Sequence, residues 1–171
     1  AVAFTSDGKG LYVLSNANSE FNRLCLYEFA SERLTPLTAD IPWDVNGTEL
    51  SHNGALLAFT TNENGTAKAY LLNTTTNTYA PVTGLPVGMI GGLRWTPDDK
   101  ALGLTIASHA STSDVYEYEL ATGQLIRWTE SELGGMDASA LRAPELITWP
   151  SFDQRSISGY LYRPPTRFTG K

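Results

Sequence analysis

Short runs of alternating apolar and polar residues, each closed by Gly, Asn, Asp or Pro, fill most of this chain. Residues 11–14, 56–61 and 102–106 are rich in Leu, Val, Ile and Thr, and each is followed by a polar loop. The loops read "NANSEFN", "NENGTA" and "SHASTS". Behind them come aromatic-bearing runs, "RLCLYEF", "KAYLLN" and "DVYEYEL". A period of two with turn residues at both ends predicts strands. Long helices are not indicated, and the one helical turn predicted falls in the acidic stretch 130–133.

The strands recur as a unit. "FTSDGKGLYVLS" from Phe4, "LSHNGALLAFTT" from Leu50 and "WTPDDKALGLTI" from Trp95 superimpose with Gly8, Gly54 and Asp99 in register, 46 and 45 residues apart. An independent landmark, the threonine ending "LTPLT", "YAPVT" and "LIRWT", recurs at Thr38, Thr83 and Thr129. Four strands per ~45 residues is the repeat of a β-propeller blade. The expected fold is all-β, a partial β-propeller of about three four-stranded antiparallel blades with a C-terminal β-hairpin. Repeats are placed at about 1–45, 46–90 and 91–130, with a connector over 131–143 and a hairpin and linker over 144–171. Asp7-Gly8, Asn53-Gly54 and Asp98-Asp99 are the turn positions between the first two strands of each repeat, where Asx-Gly pairs accept positive φ.

These blades resemble the TolB-like propeller repeat, whose pattern is an aromatic, Ser, Pro, Asp and Gly ahead of an apolar strand. Residues 95–100 ("WTPDDK") and 4–9 ("FTSDGK") carry it closely, whereas His52-Asn53-Gly54 keeps the turn chemistry and loses the acid. The resemblance covers roughly residues 1–129. It implies a WD-like propeller fold and says little about function, because one fold hosts many activities.

After Thr129 the period breaks, and Arg155 lies 55 residues beyond Lys100. A divergent fourth blade is one interpretation of this tail. The other comes from resemblance. Ser151-Phe152-Asp153, Arg155, Ile157, Gly159-Tyr160-Leu161-Tyr162 and Pro164-Pro165 are similar to the interdomain hairpin of prolyl oligopeptidase family serine peptidases, "SFDG(R/K)xIxGxLYxP". In that family the hairpin joins a propeller to an α/β-hydrolase domain, and the propeller restricts access to short peptides. Gln154 departs from the family's usual glycine. The resemblance implies a fragment whose hydrolase domain is missing after Lys171, with that domain and short peptides as the parent's partners.

Composition narrows the functions further. Eighteen acidic against 12 basic residues give a net charge of −6, and no Lys/Arg cluster offers the basic face that nucleic-acid binding needs. No apolar run approaches the ~20 residues of a membrane span, and no basic segment precedes an apolar one at the start. A first residue other than Met, already inside a strand pattern, reads as a fragment. The single cysteine, Cys25, lies in an apolar run and is expected to be buried. It leaves the compartment open, cytoplasmic or exported.

Candidate chemistry is sparse. A serine hydrolase of the resembled class needs a G-x-S-x-G elbow with acid and base later in the chain, and no serine here is so flanked. His52 occupies a repeat turn and His109 a polar loop, so both are expected as exposed loop histidines, although Ser108 adjoins His109. "NENG" at residues 62–65 holds one acid and reads as a turn rather than a calcium loop. Two His and one Cys at unrelated repeat positions make no zinc set. The sequons at Asn46, Asn64 and Asn73 read as turns. Trp43, Trp95, Trp128 and Trp149 sit at repeat landmarks and are expected to pack blade on blade.

The sequence thus predicts a non-catalytic propeller fragment without cofactor or metal. The alternative is a stand-alone propeller serving as a protein-interaction platform. Three blades cannot close a ring, so unpaired blade faces are expected to favour a homodimer.

Overall fold

The computed structural model describes residues 2–165. Three four-stranded antiparallel sheets and one two-stranded sheet account for its strands. Blade 1 comprises β1 (Val2–Phe4), β2 (Gly10–Ser15), β3 (Arg23–Glu28) and β4 (Arg33–Pro36). Blade 2 comprises β5 (Val45–Leu50), β6 (Leu56–Glu63), β7 (Thr66–Asn73) and β8 (Thr78–Pro81). Blade 3 comprises β9 (Met89–Trp95), β10 (Ala101–Ser108), β11 (Ser111–Glu119) and β12 (Leu125–Arg127). Each is a simple meander, with consecutive strands paired. The tail forms β13 (Glu145–Pro150) and β14 (Ser156–Leu161), which among the described residues pair only with each other.

Strand parity decides where the core lies. In β6, Leu57 and Phe59 point one way and Ala58 the other, as period two requires. Leu57, Phe59 and Leu72 join Tyr12 and Leu24 of blade 1 in one cluster, closed by Ile41 and Val45. Ala58 joins Leu93, Trp95, Leu102, Leu104 and Ile106 of blade 3 in a second. Every blade thus has a front face, towards the blade before it, and a back face, towards the blade after it. Blade 2 buries both.

The landmark threonines have a physical role. Leu37, Val82 and Trp128 donate their N–H to the carbonyls of Leu24, Ala69 and Val115, the last rung of each blade's outer pair. The next residue then caps the neighbouring donor in two blades: Thr38 Oγ1 accepts from Leu24 N–H and Thr129 Oγ1 from Val115 N–H. The β6–β7 turn is a two-residue Asn-Gly loop, with Asn64 at φ 53 and Gly65 at φ 82. Both values are positive, as a type I′ hairpin needs.

Two expectations are corrected. The helical turn is a 3₁₀ turn at Ala138–Ala140, not at residues 130–133. Asp137 caps it by accepting from Ser139 N–H, whereas Ser131 is drawn into the Asp114 cluster. Of the four tryptophans only Trp43 and Trp95 pack between blades. Trp128 is 65% exposed and Trp149 47% exposed, the first because nothing among the described residues covers the back of blade 3, the second because it lies on the hairpin.

Candidate functional site

The repeat turns are built alike from a hydroxyl and an Asx side chain. Thr5, Ser51 and Thr96 each donate their hydroxyl to the Asx residue two positions on, Asp7, Asn53 or Asp98, at 2.6, 2.9 and 2.9 Å. The same hydroxyls accept from Gly10, Leu56 and Ala101 N–H. The residue after the Asx then has positive φ: Gly8 67°, Gly54 71° and Asp99 56°. Hydrogen bonds from Thr5 and from Lys9 N–H hold the Asp7 carboxyl below its ordinary value, and Asp98 is lowered by the same pair of contacts from Thr96 and Lys100.

The turns also touch across blades. The Asp99 carboxylate accepts from His52 N–H at 2.9 Å and Asn53 N–H at 2.8 Å, and pairs with His52 Nδ1 at 2.8 Å. Burial pushes the Asp99 carboxyl up, but the bonds from His52 and Asn53 outweigh it and hold it low. On the other side, a Cβ at Gly54 would stand 2.6 Å from Ser6 Cβ. His52 is exposed, as expected for a loop histidine, but its ring is committed to the neighbouring blade, a contact visible only once the blades stack.

The hairpin turn keeps the Asx half of this arrangement. Arg155 N–H donates to Asp153 Oδ1 at 3.2 Å, Arg155 pairs with Asp153 at 3.3 Å, and Gln154 has φ 66. The turn closes one residue sooner, Ser151 N–H reaching Arg155 O where Thr5 N–H reaches Gly10 O. Glu145 and Arg163 tie its open end at 2.8 and 3.2 Å. Trp149 lies over Gly159, its ring 3.0 Å from where a Cβ would stand. Phe152 is fully exposed at the tip. Pro164 and Pro165 continue the chain beyond β14, and residues 166–171 lie outside the described residues.

One cleft joins the hairpin to the blades. Tyr160 and Tyr162 face the β6–β7 and β10–β11 turns across a space of about 250 Å³. Met89, Val87, Ser108 and His109 line its far side. Tyr160 rests on Gly65, whose missing Cβ would be 3.0 Å from the ring. Among the described residues the cleft lining contains no acidic side chain. Ser108 Oγ accepts from Ala110 N–H at 3.2 Å, a turn contact rather than the serine–histidine bond of a nucleophile. Nearby, Glu63 accepts from Tyr70 Oη at 2.6 Å and pairs with Lys68 at 2.6 Å. Burial, followed by the bond to Glu63, pushes Tyr70 up to about 12.

The comparisons with known proteins bear on the fold. No protein-family model matches the sequence, and no curated protein matches it. Among solved structures the chain is similar to a prolyl endopeptidase, from a study of two such enzymes, with TM-score 0.73 and 14% identity over 92% of this chain and 23% of that one. It is similar to Porphyromonas gingivalis dipeptidyl peptidase 4, with TM-score 0.70 and 16% identity over 96% of this chain and 23% of that one. It is also similar to TolB from Acinetobacter baumannii, with TM-score 0.60 and 22% identity over 96% of this chain and 37% of that one. The chain therefore has the fold of a partial β-propeller and spans between about a quarter and two fifths of these proteins.

Proposed function

We propose that this chain is the non-catalytic propeller portion of a serine peptidase resembling the prolyl oligopeptidase family. Its blades border the path of short peptides, and its hairpin leads into the hydrolase domain that carries the chemistry. One observation carries this reading. The segment with the pattern Ser151-Phe152-Asp153, Arg155, Gly159-Tyr160 and Pro164 folds as its own two-stranded sheet. Every residue of β13 is exposed, which supports a hairpin rather than a fourth blade packed on the back of blade 3. A fourth blade would bury alternate residues, as β9 does with Leu93 and Trp95. The likeness to both peptidase structures supports the same reading at the level of fold.

The likeness to TolB supports a second reading, a propeller that serves only as a platform for protein interaction. The coding sequence after Lys171 separates them. The peptidase reading expects a downstream G-x-S-x-G followed by Asp and His, and a stop codon there would overturn it. The chain itself is expected to form no adduct with a fluorophosphonate probe. One labelled serine per chain would contradict its non-catalytic role.

A further inference from the structure

Three Asn-Gly pairs occur in this chain, Asn46-Gly47, Asn53-Gly54 and Asn64-Gly65, and all three fall in blade 2. Such a pair carries a chemistry that needs no enzyme. The backbone nitrogen of the glycine attacks the side-chain carbonyl of the asparagine, and no Cβ on the glycine hinders the approach. Blade 2 packs against a blade on each side within this chain. The setting of each pair is therefore fixed by elements the chain contains.

The three settings differ. Asn53 Oδ1 accepts from Ser51 Oγ at 2.9 Å and from Ala55 N–H at 2.8 Å. Gly54 N–H donates to Ser51 O at 2.9 Å, and Gly54 is buried against Ser6. Asn64 is held left-handed at φ 53, Gly65 N–H donates to Asn62 Oδ1 at 3.0 Å, and Tyr160 rests on Gly65. Asn46 has fewer constraints. Expected at a turn, it is instead the extra residue of a bulge in β5, since Val45 pairs with Thr61 and Gly47 with the adjacent Thr60. It is exposed, and its carboxamide makes no hydrogen bond among the described residues. Gly47 N–H donates to the Thr60 hydroxyl at 3.2 Å, the longest of the three glycine contacts.

We propose that Asn46 is a site of spontaneous deamidation in the folded protein. Gly47 N gives its proton to hydroxide and bonds to Asn46 Cγ. The bond from Cγ to the side-chain nitrogen breaks, and that nitrogen takes a proton from water and leaves as ammonia. A second water then opens the cyclic imide. Cleavage between Gly47 N and Cγ gives aspartate, whereas cleavage between Gly47 N and the main-chain carbonyl carbon gives isoaspartate. Either product adds a negative charge to a groove of about 370 Å³ between β5 and β9. Arg94 is the one charged side chain among the described residues lining that groove, and it is already paired with Glu49 at 3.0 Å. The inference rests on blade 2 and not on the peptidase reading.

Incubation of the folded chain in mildly alkaline buffer, then digestion at acidic pH and tandem mass spectrometry, reads each asparagine separately. Asn46 is expected to show the mass gain of amide-to-acid conversion roughly tenfold faster than Asn53 or Asn64, the factor that one or two net hydrogen bonds contribute. In denaturant the three rates are expected to converge, because the folded settings are then gone. A faster gain at Asn53 or Asn64 overturns the proposal. So do equal rates in the folded chain, or no gain there while the denatured chain reacts. Asn46→Gln closes a larger ring slowly and keeps the polarity of an exposed side chain. It is expected to remove most of the ammonia released by the folded chain, with an unchanged circular-dichroism spectrum. Release equal to that of the wild type contradicts the assignment to Asn46.

Discussion

Asp114 gathers the outer half of blade 3 around one carboxylate. It is fully buried, and it accepts from Ser111 Oγ, Thr129 Oγ1, Ser131 N–H and Arg127. The Ser111 bond and then, against burial, the Ser131 and Arg127 contacts hold its carboxyl far below the ordinary 3.8. A depressed folded pKa contributes stability that is complete above the unfolded value and lost as pH falls through the folded one. Asp114→Asn is expected to lower Tm at pH 7 and to flatten the acid limb below about pH 4. Equal acid sensitivity in both proteins would contradict this role. Thr129 was legible in the sequence as a repeat landmark, but Asp114 read only as the start of a strand. Its partners Ser111, Arg127 and Ser131 do not recur in the other blades, so no period marked them. Gln154 shows the converse. Its departure from a glycine pattern was visible in the sequence, and its φ of 66 gives the reason glycine suits the position. An L-residue there costs roughly 1–2 kcal/mol. Gln154→Gly is expected to slow amide exchange in β13 and β14 accordingly, and an unchanged rate would show that the turn is not strained.

At the scale of elements, each of the twelve blade strands overlaps the run that turn chemistry and period two mark. β6–β7 and β10–β11 extend as tight hairpins through the expected loops at 62–67 and 108–113. The reason for the agreement is local. Each Thr/Ser–Asx turn closes on its own hydroxyl and backbone bonds, so its residues determine it without help from the rest of the fold. The locks between turns were not legible. Asp99 departs from glycine at the left-handed position of its turn, a choice that costs local energy. Its gain is the triple contact with His52 and Asn53 of blade 2, which exists only when the blades stack. Asp99→Gly separates the two effects, since it relaxes φ and removes the lock. The lock is expected to dominate, giving a lower Tm at pH 7. Because burial is outweighed by the His52 and Asn53 bonds, the Asp99 carboxyl is lowered. The wild-type advantage should therefore fade as pH falls below the ordinary carboxylate value and Asp99 takes up its proton. A higher Tm for Asp99→Gly would mean that turn strain outweighs the lock.

Across the whole molecule, stability should follow how many faces each sheet buries. Blade 2 is covered on both sides and holds Leu57, Phe59 and Leu72 at 0% exposure, while the hairpin meets the blades where Tyr160 of β14 rests on Gly65. The repeat pattern gave away the stack of three blades because core positions alternate within every strand. It left the tail ambiguous, because the turn at residues 151–155 has the same chemistry whether it opens a fourth blade or a separate hairpin. Only burial separates those cases. Hydrogen exchange followed by mass spectrometry reads that difference strand by strand, since local opening ranges from near zero to the global unfolding free energy. The amides of β6 and β7 should exchange slowest and those of β13 and β14 orders of magnitude faster. Protection in β13 and β14 equal to that of β10 and β11 would contradict the account, because the tail would then be a blade and the hairpin leading out of the propeller would not exist.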